Sequence, residues 1–139
     1  MKALLLSGFA AALVCVGSPA VAQSVVGQLF ARADRAYNLH GYAAFGWEKR
    51  GQLRNGAEES FTVTLSGGAE YSLIGVCDAD CENFDLYVTD EKGVAVTQDV
   101  EDDDFPVVYI KRAGTFRVRA VMTKCTDAPC AFGVKAYKM

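Results

Sequence analysis

The segment Tyr71–Asp104, YSLIGVCDADCENFDLYVTDEKGVAVTQDVEDDD, limits the folds open to this chain more than any other. Cys77 and Cys81, separated by three residues, precede a run in which Phe84, Leu86 and Val88 are apolar and Asp85 lies on the opposite face. Asp90-Glu91-Lys92-Gly93 then marks a turn, and Val94 and Val96 open a second alternating run with Val100 beyond. Successive side chains of a strand point to opposite faces, so this alternation requires a sheet with one apolar side. Gly and Asp supply the tight turns that join antiparallel strands. The segment is therefore read as a β-hairpin. Its loops are anionic, because eleven of the seventeen acidic residues fall between Asp78 and Asp104 against one base, Lys92.

The same pattern continues on both sides. Tyr42–Gln52 alternates loosely, with Phe45 and Trp47 as anchors of a first strand, and Arg54-Asn55-Gly56 is a turn signal. Phe61, Val63 and Leu65 oppose Thr62 and Thr64, and Gly67-Gly68 leads into Tyr71–Cys77. After Pro106 come Val107–Ile110, a turn at Lys111-Arg112-Ala113-Gly114, and an alternating run with Phe116, Val118, Ala120 and Met122 on one face. Thr115, Arg117, Arg119 and Val121 take the other face, and Phe132–Tyr137 is the last strand. About eight short strands with a turn every eight to twelve residues predict an all-β antiparallel sandwich. Ahead of them, Val26, Leu29, Phe30, Ala33 and Tyr37 recur at helical spacing, which predicts a helix over Ser24–Leu39 with Ser24 as its cap and Gly41 after its end. The helix stripe packs on its own domain or docks a partner.

The N-terminus bears on the cysteines. Lys2, the apolar run Ala3–Val16 and Ala20-Val21-Ala22 make the charged, apolar and cleavage regions of a secretory signal peptide. The division expected is signal peptide 1–22, helix 23–41 and sandwich 42–139. The apolar run is too short for a span of about 20 residues, and Cys15 lacks the small preceding residues of a lipidation site. Lys2 and Cys15 leave with the leader, so the mature chain has 13 bases against 17 acids and keeps Cys77, Cys81, Cys125 and Cys130. An even set of cysteines in an exported chain, periplasmic or secreted, predicts disulfides. Three pairings are possible. Local bridges 77–81 and 125–130 each bracket one turn and are preferred; cross bridges 77–125 and 81–130 would close long loops, at ~4 kcal/mol each in the chain-entropy model. A four-thiolate zinc site is the alternative that export disfavours.

The acidic character and the lack of a basic stripe exclude nucleic acid as a partner. Asp78, Asp80, Asp85, Asp99, Asp102, Asp103 and Asp104 are candidate ligands for calcium, a cation that takes six to eight hard oxygens. The spacing Asp78-x-Asp80-x-Glu82 begins like an EF-hand loop, but Asn83 replaces the sixth-position Gly and Thr89 the twelfth-position Glu. The simpler role for these carboxylates is solvation, or pairing with Arg117 and Arg119. Catalytic signals are weak. Ser24, Ser60, Ser66 and Ser72 lie in no nucleophile-elbow context, and His40 is the single histidine. An aspartate pair acting as a hydrolase is the weak alternative.

Three stretches resemble the bacterial pre-peptidase C-terminal domain. They are Cys77-Asp-Ala-Asp-Cys81-Glu-Asn-Phe-Asp85-Leu86-Tyr-Val-Thr-Asp90-x-x-Gly93, Asp99-x-x-Asp102-Asp-x-x-Pro106, and Gly114-Thr-Phe116-Arg-Val118. The likeness covers about Glu58 to Tyr137 and is similar to the cysteine-bearing version that stands alone in small exported proteins. It implies a jelly-roll-like β-sandwich and a non-catalytic accessory or binding role, with calcium in some members. The expectation is an exported binding module that requires no cofactor, with calcium as an added stabiliser. The alternative is a subunit that engages a protein or envelope polymer through its helix or its acidic loops.

Overall fold

The structure, a computed structural model, describes residues 19–139. Of the expected leader 1–22, residues 1–18, Cys15 included, lie outside the described residues. One helix, α1 (Pro19–Leu39), precedes eight strands: β1 (Ala43–Leu53), β2 (Glu58–Leu65), β3 (Tyr71–Cys77), β4 (Cys81–Asp90), β5 (Ala95–Asp99), β6 (Val107–Ile110), β7 (Gly114–Cys125) and β8 (Cys130–Lys138).

The strands form two antiparallel sheets of four, ordered β1-β8-β3-β6 and β2-β7-β4-β5. The pairs β1·β8, β2·β7, β3·β6 and β4·β5 are nested, as in one long hairpin strip. Rolling that strip adds the pairs β3·β8 and β4·β7 and alternates the strands between two layers. This is the jelly-roll connectivity, and the chain is an all-β sandwich with one helix.

Period-two alternation accounts for the layers. Phe84, Leu86 and Val88 of β4 and Phe116, Val118, Ala120 and Met122 of β7 meet Leu73 of β3 and Phe132, Val134 and Ala136 of β8 in one buried core. β3 and β8 are buried on their other face as well. Val26, Phe30 and Ala33 of α1 cover Ile74, Val76, Ala131 and Tyr137 in a second apolar cluster. Gly133 makes this contact possible, since a Cβ there would stand 2.6 Å from the Phe30 ring. The helix stripe is thus engaged by its own sheet.

The helix begins at Pro19, five positions before Ser24, so Ser24 lies inside it and caps nothing. Its other end follows the sequence. Gly41 has φ +84°, and Gly41 N–H donates to Asn38 O at 3.2 Å while Tyr42 N–H donates to Tyr37 O at 3.0 Å, the paired bonds of a Schellman stop.

Candidate ligand-binding face

Both disulfides are local, Cys77–Cys81 and Cys125–Cys130. The first joins β3 to β4 and the second joins β7 to β8, so each one ties the two sheets together at the same end. Cys81 and Cys125 are register partners on neighbouring strands. Closing loops this short contributes about 2 kcal/mol per bridge in the chain-entropy model.

Most of the expected calcium ligands take a local structural role. Asp78 is buried at the disulfide end. Its Oδ2 accepts from Ala131 N–H at 2.8 Å and its Oδ1 from Asp80 N–H at 3.3 Å, so it pins the β3–β4 turn to the start of β8. Asp99 holds the loop before β6 by accepting from Glu101 N–H (3.2 Å) and Val107 N–H (2.8 Å). Asp103 accepts from Phe105 N–H at 3.0 Å, Asp102 accepts from Asn83 Nδ2 at 3.0 Å, and Asp80 and Asp104 are exposed. Asp85 is buried on the outer side of β4, where its Oδ2 accepts from the Thr123 hydroxyl at 3.0 Å. Its Oδ1, like Asn83 Oδ1, is buried without a donor. Among the described residues no group of three or more His, Cys, Asp or Glu side chains is disposed to hold a metal ion. Most of the placed aspartate oxygens hold backbone N–H groups of turns.

Under α1 lies a layer of tyrosines. Tyr37 stacks on Tyr137 with ring centroids 4.3 Å apart and hydrogen-bonds Ser72 at 2.9 Å. Tyr137 O–H donates to Asp34 at 2.7 Å, Lys135 Nζ donates to the same carboxylate at 2.9 Å, and Tyr42 O–H donates to Glu70. Burial pushes the Tyr137 and Tyr42 phenols above their ordinary range, and the carboxylate acceptors push the same way. Burial also raises Tyr37, with Ser72 opposing. For Asp34 burial acts upward, but the bonds from Lys135 and Tyr137 outweigh it and hold the carboxyl below its usual value. This layer clamps the helix. His40 is exposed beyond the helix end.

Among the described residues, a concave feature lies on the outer face of the β2-β7-β4-β5 sheet. A trough of about 570 Å³ crosses it, lined by Glu58, Ser60, Tyr87, Gln98, Arg117 and Arg119 among others. That volume is within the ~300–1,000 Å³ of small-ligand sites. A second depression of about 330 Å³ continues past Arg117 to Thr62, Thr89, Asp90 and Thr115. Register creates this surface. Ser60 faces Arg119, Arg119 faces Tyr87 and Tyr87 faces Gln98, giving one row across four strands, and the next row is Thr62, Arg117, Thr89 and Ala95. Arg119 bonds Glu58 at 2.8 Å and lies 4.1 Å from the Tyr87 ring centroid. Arg119 thus pairs with β2 and not with the acidic loops.

The sequence puts Arg117 and Arg119 on one face of an alternating run and offers them only as partners for the acidic residues. The arginines' partners in the rows come from strands far apart in sequence, with Ser60 and Arg119 separated by 59 positions. The available signal was the alternation Thr115-x-Arg117-x-Arg119 beside Ser60-x-Thr62-x-Thr64. No protein-family model matches the chain, and no curated protein matches it.

Proposed function

We propose that this protein is an exported, non-catalytic binding module whose ligand site is the outer face of the β2-β7-β4-β5 sheet. The observation that carries the reading is the trough itself: two guanidiniums, a tyrosine, hydroxyls and an amide converge across four strands. Its lining contains no His or Cys, and its one carboxylate, Glu58, is bonded to Arg119. A surface of that kind orients a polar ligand without offering a nucleophile and base side by side. The two disulfides fit an oxidising, extracytoplasmic environment, and no described helix is long and apolar enough to cross a membrane. The likeness of the Asp85-Leu86 and Gly114–Val118 segments to pre-peptidase C-terminal domains supports an accessory role as well.

The test is calorimetry of the disulfide-intact chain against neutral and acidic oligosaccharides, with Ser60→Trp as the blocked form. Ser60 is half-buried on the outer face opposite Arg119, so the indole fills the trough without entering the core. At least one oligosaccharide is expected to bind and to be recovered at unchanged mass, and S60W is expected to abolish binding with the melting temperature preserved. Binding undiminished in S60W, cleavage of the ligand, or no binding at millimolar concentration overturns the proposal.

A further inference from the structure

Resting on that reading of the sheet face, we infer that its ligand is an acidic sugar chain, read through its carboxylates by Arg117 and Arg119. The chain is net negative, at −3, yet two arginines occupy alternate positions of β7 on one face. Side chains two residues apart on a strand stand about 7 Å from each other, so the two guanidiniums repel unless an anion lies between them. Arg119 has Glu58 and the Tyr87 ring as partners. Arg117 is exposed and forms no ion pair with a described carboxylate. The second depression also holds Asp90 and Glu91, and Asp90 Oδ1 already accepts from Lys92 and Val94 N–H at 2.9 Å each.

Arg117 lines both depressions, so a ligand running across the sheet must pass it. The guanidinium is a planar fork that meets a carboxylate through two parallel N–H···O bonds, a geometry a lysine does not reproduce. The remainder of the lining selects for a polyol. Ser60, Thr62, Thr89 and Thr115 present hydroxyls and Gln98 an amide, interleaved with Tyr87, Gly93 and Ala95. Hydroxyl donors and acceptors spread over the length of the trough suit successive sugar rings, and the two arginines suit a carboxylate on the central one.

The experiment titrates the disulfide-intact protein with tetragalacturonate, with neutral tetragalactose and with tetraglutamate, at two salt concentrations. Tetragalacturonate is expected to bind at least tenfold more tightly than either comparator, and to weaken as salt rises. Arg117→Ala is expected to weaken it about tenfold or more at an unchanged melting temperature, with R117K recovering only part. Tetragalactose binding equally well in the trough overturns the carboxylate assignment and leaves the binding face standing. Tetraglutamate binding equally well overturns the sugar, and an unaffected R117A overturns the residue assignment. If none of the three binds, both this inference and the reading it rests on fail.

Discussion

Removing the Phe30 ring tests how the helix is held. The side chain is 2% exposed and lies against Gly133, with the Arg50 guanidinium 5.5 Å and the Lys135 ammonium 5.6 Å from its ring centroid. A buried Phe→Ala change costs ~3–5 kcal/mol, and at a helix–sheet seam that can partly close about 3 kcal/mol is expected, or roughly 10 °C in melting temperature. Gly133→Ala acts on the same contact from the other side. Its Cβ would sit 2.6 Å from two Phe30 ring atoms and 2.9 Å from Val26 Cγ1, an overpacking that costs about 1–3 kcal/mol. In the Phe30→Ala background that Cβ enters vacated space, so the second change becomes nearly neutral. Urea unfolding of the four proteins, followed by far-UV and near-UV circular dichroism, gives the cycle, with a coupling of about 1–2 kcal/mol expected. Strict additivity, or an F30A variant within about 0.5 kcal/mol of the parent, would refute the docking of α1 on β3 and β8.

Three further outcomes follow from particular contacts. Asp78→Asn replaces one of two carboxylate acceptors by an amide that faces the Ala131 or Asp80 N–H, and a loss of about 2 kcal/mol in urea unfolding is expected. An unchanged midpoint would show that this buried carboxylate does not pin the disulfide end. Tyr42 and Tyr137 titrate above 10.0 in the folded chain, so the unfolded chain releases those protons first. Stability present in full below pH 10 is therefore expected to fall as pH rises beyond it, while the Asp34 contribution, present above about pH 4, is lost as pH falls below the ordinary aspartate value of 3.8. Unfolding midpoints across pH 3 to 11 that stay flat at both ends would contradict both assignments. Millimolar calcium is expected to leave the melting temperature unchanged, because Asp78, Asp99 and Asp103 already accept backbone N–H groups. A rise of several degrees would contradict that expectation.

The strands were legible because each carries its own alternation and its own turn residues. Tyr71–Cys77 and Val107–Ile110 begin and end where the sequence pattern places them. The start of α1 was not legible. Ser24 is a good capping residue, but Pro19 is favoured in the first helical turn and nothing between the two breaks the helix. The local bonds of the aspartates were less legible, because short side-chain acceptors in turns bond to the nearest backbone donors, as Asp99 and Asp103 do. The trough was the least legible feature. The Ser60-Arg119-Tyr87-Gln98 row exists only once three strand registers are fixed, and no local pattern encodes those registers.

The claim on which the functional account turns is that the outer face of the β2-β7-β4-β5 sheet is the working surface of the protein. Amide chemical shifts of the isotopically labelled, disulfide-intact chain, recorded during titration with tetragalacturonate, test it most directly. The account predicts saturable shifts confined to β2, β7, β4 and β5, centred on Arg117, Arg119, Tyr87 and Thr89. Shifts centred on α1 or on the Asp99–Asp104 loop, or no shifts at saturating ligand, would contradict it.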